Sequence, residues 1–344
     1  MSLTRKALAV VLAIGVLLAL NQLFEYGVGD LFVNPYYARI INLIGINITL
    51  AVSLNLINGL AGQFSIGHAG FMAVGGYTAT YVTVYHGQQL AALAGSSLEG
   101  LAGWTLVVIV SLLAGALAAA AAGLVVGIPS LRLRGDYLAI VTLGFSEIIR
   151  VIILNIPAVG GATGFTAALP IINFFWIFAV AVLTIVIVRN IATSTFGRVL
   201  AMIRGDEIAA EAMGISTTRY KVLAFVISAA LAGVAGGLSG QLFANPLNPQ
   251  NLNFVRSIEI IVMIVIGGIG SISGAVFGAT VVTVMPEALR TLDQQFPGLR
   301  MVVYALLLVL TMIFRPQGLF GRREIGFAWL RRRGLNPAGR APIK

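Results

Sequence analysis

The chain has no cysteine and only two histidines, His68 and His86. Disulfides and thiolate-held metals are therefore excluded, and two imidazoles alone do not make a metal centre. Charge is scarce too, with Asp, Glu, Lys and Arg amounting to 10% of 344 residues, far below what an ordinary soluble domain carries. No Gly-x-x-x-x-Gly-Lys-Ser/Thr loop is present, so the chain does not bind and split a nucleoside triphosphate by that route. Paired carboxylates, a serine and histidine pair, and a charge ring or carbonyl filter are equally missing. Intramembrane hydrolysis and channel conduction both lose ground, and no cofactor is expected.

What fills the chain is hydrocarbon. Hydrophobic residues reach 58% and the mean hydropathy is +0.97, which points to an all-α, polytopic transmembrane helical bundle. The net charge of +10 does not mark a nucleic-acid binder. Its basic residues gather at loop edges and in the C-terminal tail instead of forming a stripe interleaved with aromatics.

Arg5 and Lys6 precede an apolar run from Ala7 that has the look of a signal peptide. No small-x-small triplet closes it before Asn21, which predicts an uncleaved first helix. Further spans are expected over Ile40–Ile57, from Phe71, and over Trp104–Val126, Tyr137–Ile156, Ile171–Val188 and Val222–Phe243. Ile258–Met285 would measure about 42 Å as one helix, too long for one upright span of an approximately 30 Å core. Its centre, Gly267–Gly274, reads GGIGSISG. A turn there gives about ten crossings, including short or re-entrant passes, with both termini cytoplasmic. On that count 17 of the 22 basic residues lie inside, while Arg39, Arg256, Arg290 and Arg300 lie outside and Arg150 lies in the membrane. Residues 1–320 form one transmembrane domain. Residues 321–344, with Arg331, Arg332 and Arg333, form a basic cytoplasmic tail near anionic lipid.

Three stretches carry candidate function. The glycine-rich Asn58–Gly70 segment predicts irregular backbone, tolerated in a membrane only under a cover of protein or in a water-filled cavity. Transporters place substrate contacts in such breaks, and Ser65 and His68 inside it, with Asn55 before it and Asn155 elsewhere, are pathway candidates. A tight interfacial turn is the competing reading. Glu147 and Arg150 sit three apart near the centre of a span, either as a structural ion pair or as a pair lining the pathway.

The third stretch, Ser194–Lys221, is too charged for the bilayer core. Gly205 interrupts it, Asp206 is a good N-cap and Gly214 supplies a left-handed end, which defines a helix of about two turns. Glu207 and Glu211 share one face, while Ile208, Ala212 and Met213 form a small apolar face able to dock on a partner; a solvated connection whose charges keep it on the cytoplasmic side is the competing reading.

Four segments stand out: Ser53–Leu56 with Gly59–Gly70, Tyr137–Arg150, Arg204–Gly214, and Arg315–Phe320. Taken together they resemble the inner-membrane permeases of bacterial branched-chain amino acid ABC importers, of the LivM type. The resemblance runs from about Asn42 to Phe320. It implies a transport permease in the bacterial inner membrane, working beside a second, similar permease subunit, two cytoplasmic ATPase subunits and a periplasmic substrate-binding protein. It also implies that Arg204, Asp206, Glu207, Ala210, Glu211 and Gly214 belong to the ATPase-coupling element. The family usually has threonine before the paired glycines where this chain reads Val159-Gly-Gly-Ala-Thr-Gly164, which leaves urea or amides as alternative solutes. A proton-coupled transporter using Glu147 is the rival from another class.

Overall fold

A computed structural model describes residues 15, 17–19, 21–22, 35–95, 100–131, 133, 135–166, 172–242, 246–290, 299–314 and 318–319. Among them the chain is helical almost throughout. Helix α1, Pro35–Asn55, runs on into one wide turn at Leu56–Leu60; α2 is His68–Leu93, α3 Leu101–Ser130, α4 Asp136–Leu154 and α5 Phe174–Thr193. Two short helices follow, α6 over Thr195–Gly205 and α7 over Glu207–Ala212. The remainder are α8 at Thr217–Leu242, α9 at Phe254–Gly267, α10 at Ile272–Ala288 and α11 at Leu299–Phe314.

Five helices among the described residues are long and apolar enough to cross a membrane: Tyr36–Leu60, Ala102–Ser130, Tyr137–Leu154, Phe174–Thr193 and Thr217–Leu242. Helix α2 has the length, 26 residues, but carries His68, Gly75, Gly76, Thr80 and Thr83. It can do so because it is sheltered between α3 and α8.

These three helices approach unusually closely, and glycine is the cause. A Cβ on Gly115 would come 2.7 Å from the carbonyl oxygen of Gly75, one on Gly233 would come 2.7 Å from that of Gly115, and one on Gly236 would come 2.8 Å from the Gly76 nitrogen. Small residues replace knobs at each crossing, so backbones meet directly and dispersion acts over the full length. Phe71 and Phe225 then fill the space at one end, edge to face at 5.3 Å.

The Gly267–Gly274 region is a turn, as its length requires. Helix α9 ends at Gly267, the chain reverses through Gly268 and Gly270 at φ +118° and +92°, and Ser271 caps α10 by accepting from Gly274 N at 3.0 Å. Only glycine adopts those φ values without strain. At about 21 and 25 Å the two helices are each shorter than a bilayer core. Their antiparallel contact is again glycine-lined, with Gly278 set against Gly267 and Met263.

One sequence-based placement changes. Arg256 is not in an outer loop: it lies in the first turn of α9, where Nη2 donates to Asn47 Oδ1 at 2.6 Å, and Asn47 is near the middle of α1 with its wide turn. The expected tail at 321–344 lies outside the described residues.

Candidate functional site

The α6–α7 element is built as the sequence predicts. Ser194 caps α6. Asp206 then caps α7 with one carboxylate oxygen, Oδ1, accepting from Ile208 N at 2.9 Å and Ala209 N at 3.0 Å. Gly214 ends the element at φ +81°, the left-handed position that favours glycine. The carboxylates, however, bond back to α8, although Glu211 stays exposed. Glu207 pairs with Lys221 of α8, whose side chain is 1% exposed, and Glu211 Oε1 accepts from Thr217 Oγ1 at 2.8 Å. Ala210 is buried beneath them. The outward surface includes an apolar patch, with Ile208 67% and Met213 76% exposed, beside the exposed Glu211. Helix α7 is thus pinned from behind by charge and offers methyl and thioether groups to whatever meets it.

Arg204, at the end of α6, ties this element to the membrane helices. Its Nη1 donates to the carbonyl oxygen of Gly59, in the wide turn that ends α1. A Cβ on Gly62 would strike its side chain at 2.7 Å, and one on Gly270 would meet its Nη1 at 3.0 Å. Asn55 Oδ1 accepts from Gly270 N at 2.8 Å. One guanidinium therefore touches both glycine-rich reversals of the chain.

Beyond the wide turn the backbone is irregular from Ala61 to Gly67, and its polar groups are covered by protein. Asn58 exchanges hydrogen bonds with the Ser65 backbone, Ile66 N donates to Thr142 Oγ1 at 3.1 Å, and Ala69 N donates to Ser257 Oγ at 3.0 Å. His68 Nε2 lies 2.8 Å from Ser53 Oγ. Because that hydroxyl already donates to Leu50 O, it accepts from the imidazole, which places the proton on Nε2. Nδ1 of His68 is then a bare buried acceptor; Ser65 Oγ and Asn55 Nδ2 are also buried and unpartnered. Asn55, Ser65 and His68 thus gather around one break, closed to solvent in this conformation. Asn155 is not with them. It is exposed at the end of α4 and donates to Val151 O of its own helix.

Glu147 and Arg150 form the expected pair, Arg150 Nε donating to Glu147 Oε2 at 2.6 Å. The other carboxylate oxygen, Oε1, accepts from Phe254 N at 3.0 Å, so Glu147 also caps the start of α9. Sequence reasoning misses Arg256, Glu259 and Asn47, which join this region. The signal is the same i, i+3 charge pair, hidden because the expected span begins only at Ile258. Separately, a cleft of about 390 Å³ between α2 and α4, lined by Tyr77, Tyr81, Ile149 and Ile153 among others, is almost wholly apolar.

A glycine-interlocked helical bundle, with a covered break after its first described span and a capped two-turn helix between two spans, defines a multi-span membrane protein of the permease class. The chain belongs to the family described as branched-chain amino acid transport system / permease component, which matches residues 36–312. It is 34% identical over 311 residues to the high-affinity branched-chain amino acid transport system permease protein LivM of Escherichia coli, covering 80% of this chain and 67% of that one. The Salmonella typhimurium LivM matches at 33% over the same shares. A probable branched-chain amino acid transport permease protein LivM of Methanocaldococcus jannaschii is 25% identical over 82% of this chain and 92% of its own. Among solved structures, a metal-chelate type ABC transporter in an inward-facing conformation is similar at a TM-score of 0.45 and 16% identity, over 89% of this chain and 99% of that one.

Proposed function

We propose that the chain is one membrane subunit of an ATP-driven importer, passing branched-chain amino acids across the bacterial inner membrane by alternating access. It works with a second, homologous permease subunit, two cytoplasmic ATPase subunits and a periplasmic substrate-binding protein. About ten crossings, including short or re-entrant passes, and cytoplasmic termini complete the reading. The contacts support this order: α1 and α9 run toward the Arg204 end, α10 runs back from it, and Tyr36 of α1 meets Glu287 of α10 at the opposite end. With 17 of 22 basic residues then inside, the orientation follows the charge rule.

The observation that carries the coupling role is the exposed apolar face of α7, rigidly backed by Glu207 and Lys221. Closure of the ATPase dimer pushes that face, and Arg204 passes the displacement to the two glycine turns as a rigid-body shift. The test is Ile208→Asp with Met213→Asp in the complete importer in vesicles. ATP-dependent leucine uptake should fall at least tenfold while membrane insertion is normal. Uptake at the wild-type rate would remove the docking role.

The proton-coupled rival is disfavoured by Glu147 itself, whose two carboxylate oxygens are taken by Arg150 and Phe254 N. In this conformation both oxygens are engaged in joining α4 to the start of α9.

A further inference from the structure

The intramembrane charges form a layer. Arg256 Nη1 donates to Glu259 Oε2 at 2.7 Å and Nη2 to Asn47 Oδ1 at 2.6 Å, and Asn47 Nδ2 donates to Thr283 Oγ1 at 2.7 Å. Glu147, paired with Arg150, reaches Phe254 N at 3.0 Å in the first turn of the same helix. From Phe254 to Glu259 is about 7.5 Å along the helix axis. Two ion pairs, one on α4 and one on α9, therefore converge on the start of α9. The layer is deep: Asn47 is near the middle of α1 with its wide turn, and Arg256 precedes the Gly268 reversal by about 18 Å.

Four charges at that depth are expensive, roughly 2.5–3.5 kcal/mol each on insertion scales. Packing alone does not account for them, because apolar side chains of similar volume serve a bundle as well or better. Nor are the pairs sealed. Side-chain exposure is 25% and 28% for Arg150 and Glu147, and 20% and 44% for Arg256 and Glu259. Phe254, Val255 and Ile258 are exposed beside them on α9.

We infer that the Glu147, Arg150, Arg256 and Glu259 layer is a passing site for the zwitterionic head of an amino acid. This rests on the reading of the chain as an amino-acid permease. A zwitterion brings one carboxylate and one ammonium, so an opened protein pair finds both partners in the ligand and no charge is left naked. The carboxylate moves onto Arg150 or Arg256, whose planar donors suit it, and the ammonium onto Glu147 or Glu259. The aliphatic side chain lies against Phe254, Val255 and Ile258. Urea or an amide cannot make this exchange, and an ion of one sign would strand a partner.

This chain has no cysteine, so a single introduced thiol is unique within it and is read on the separated subunit. Val255→Cys and Ile258→Cys, made singly in the complete importer in vesicles, are treated with a charged, membrane-impermeant methanethiosulfonate. Labelling is expected in at least one nucleotide state, slowed about fivefold or more by L-leucine with its binding protein and unaffected by urea. Arg256→Gln with Glu259→Gln should abolish that protection and lower leucine uptake at least tenfold. If the paired variant is not recovered in the membrane, the single-cysteine protection decides alone. If the wild-type complex takes up leucine but neither cysteine variant shows labelling that leucine slows, the passing site alone is overturned. Wild-type complex that takes up no branched-chain amino acid overturns the substrate reading, and the passing site with it.

Discussion

The Glu207 and Lys221 pair gives the sharpest quantitative expectation, because its two ends are unequally wet. Lys221 is 1% exposed and Glu207 22%. Glu207→Gln keeps an acceptor for the ammonium but removes the compensating charge, leaving Lys221 buried and unpaired. Breaking a buried pair in this way costs about 3–5 kcal/mol; the wet edge of Glu207 and the retained acceptor bring the expected loss to about 2 kcal/mol. Lys221→Met does the reverse. It strands a carboxylate that can turn to water and gains a packed side chain, so its cost should be about 1 kcal/mol or less. The asymmetry is the signature. Since α7 is only 6 residues long and has little stability of its own, the loss appears as local opening. Amide exchange over 207–213, measured by mass spectrometry in lipid nanodiscs, should speed up about 30-fold in Glu207→Gln and about fivefold or less in Lys221→Met. The double variant should resemble Lys221→Met. Equal rates in Glu207→Gln and wild type, or equal effects of the two single changes, would refute the argument that a buried ammonium holds this helix.

Asp206→Ala removes the acceptor of two α7 backbone hydrogen bonds, and loss of such a cap costs about 1 kcal/mol; exchange over the same residues should rise about fivefold. Gly236→Val forces a side chain into the Gly76 backbone of α2 and should destabilise the bundle by about 1–3 kcal/mol, read as a lowered unfolding midpoint in detergent. Gly144→Ala, in a helix with nothing within 4 Å of the new methyl group, should instead stabilise by about 0.5–1 kcal/mol, so a loss comparable to that of Gly236→Val would undo the close-approach explanation. Arg204→Ala frees the Gly59 carbonyl and should lower the leucine taken up per ATP hydrolysed at least threefold without affecting insertion. Glu147→Gln should weaken uptake that remains ATP-dependent; a flux driven by a proton gradient without ATP would favour the rival mechanism.

Local chemistry makes much of the α6–α7 element legible in the amino-acid sequence. Asp206, Gly205 and Gly214 can be read there because caps and left-handed turns depend on neighbouring residues alone. The Gly267–Gly274 reversal follows from length, since one helix of that size overshoots a bilayer. The break around Asn58–Gly70 is visible in its glycines, but its partners are not. Thr142, Ser257 and Ser53 are 76, 188 and 15 residues away from the groups they serve, and no periodicity encodes such distances. The partners of Glu207 and Glu211 are also out of reach, because they depend on where α8 begins. Arg256 is misplaced when charge bias is taken for loop position, because α9 starts inside the bundle. Asn155 is polar and close in sequence to Glu147, yet its amide is satisfied by its own helix.

The glycine crossings of α2, α3 and α8 constrain how such a machine can work. With backbone against backbone there is no side-chain layer to slide, so the three must travel as a block or not at all. Helices α4 and α5, each with 28% of its span buried against 61% for α8, stand outside that block. Any opening that alternates between the two sides then has to shift such outer helices about a fixed keel.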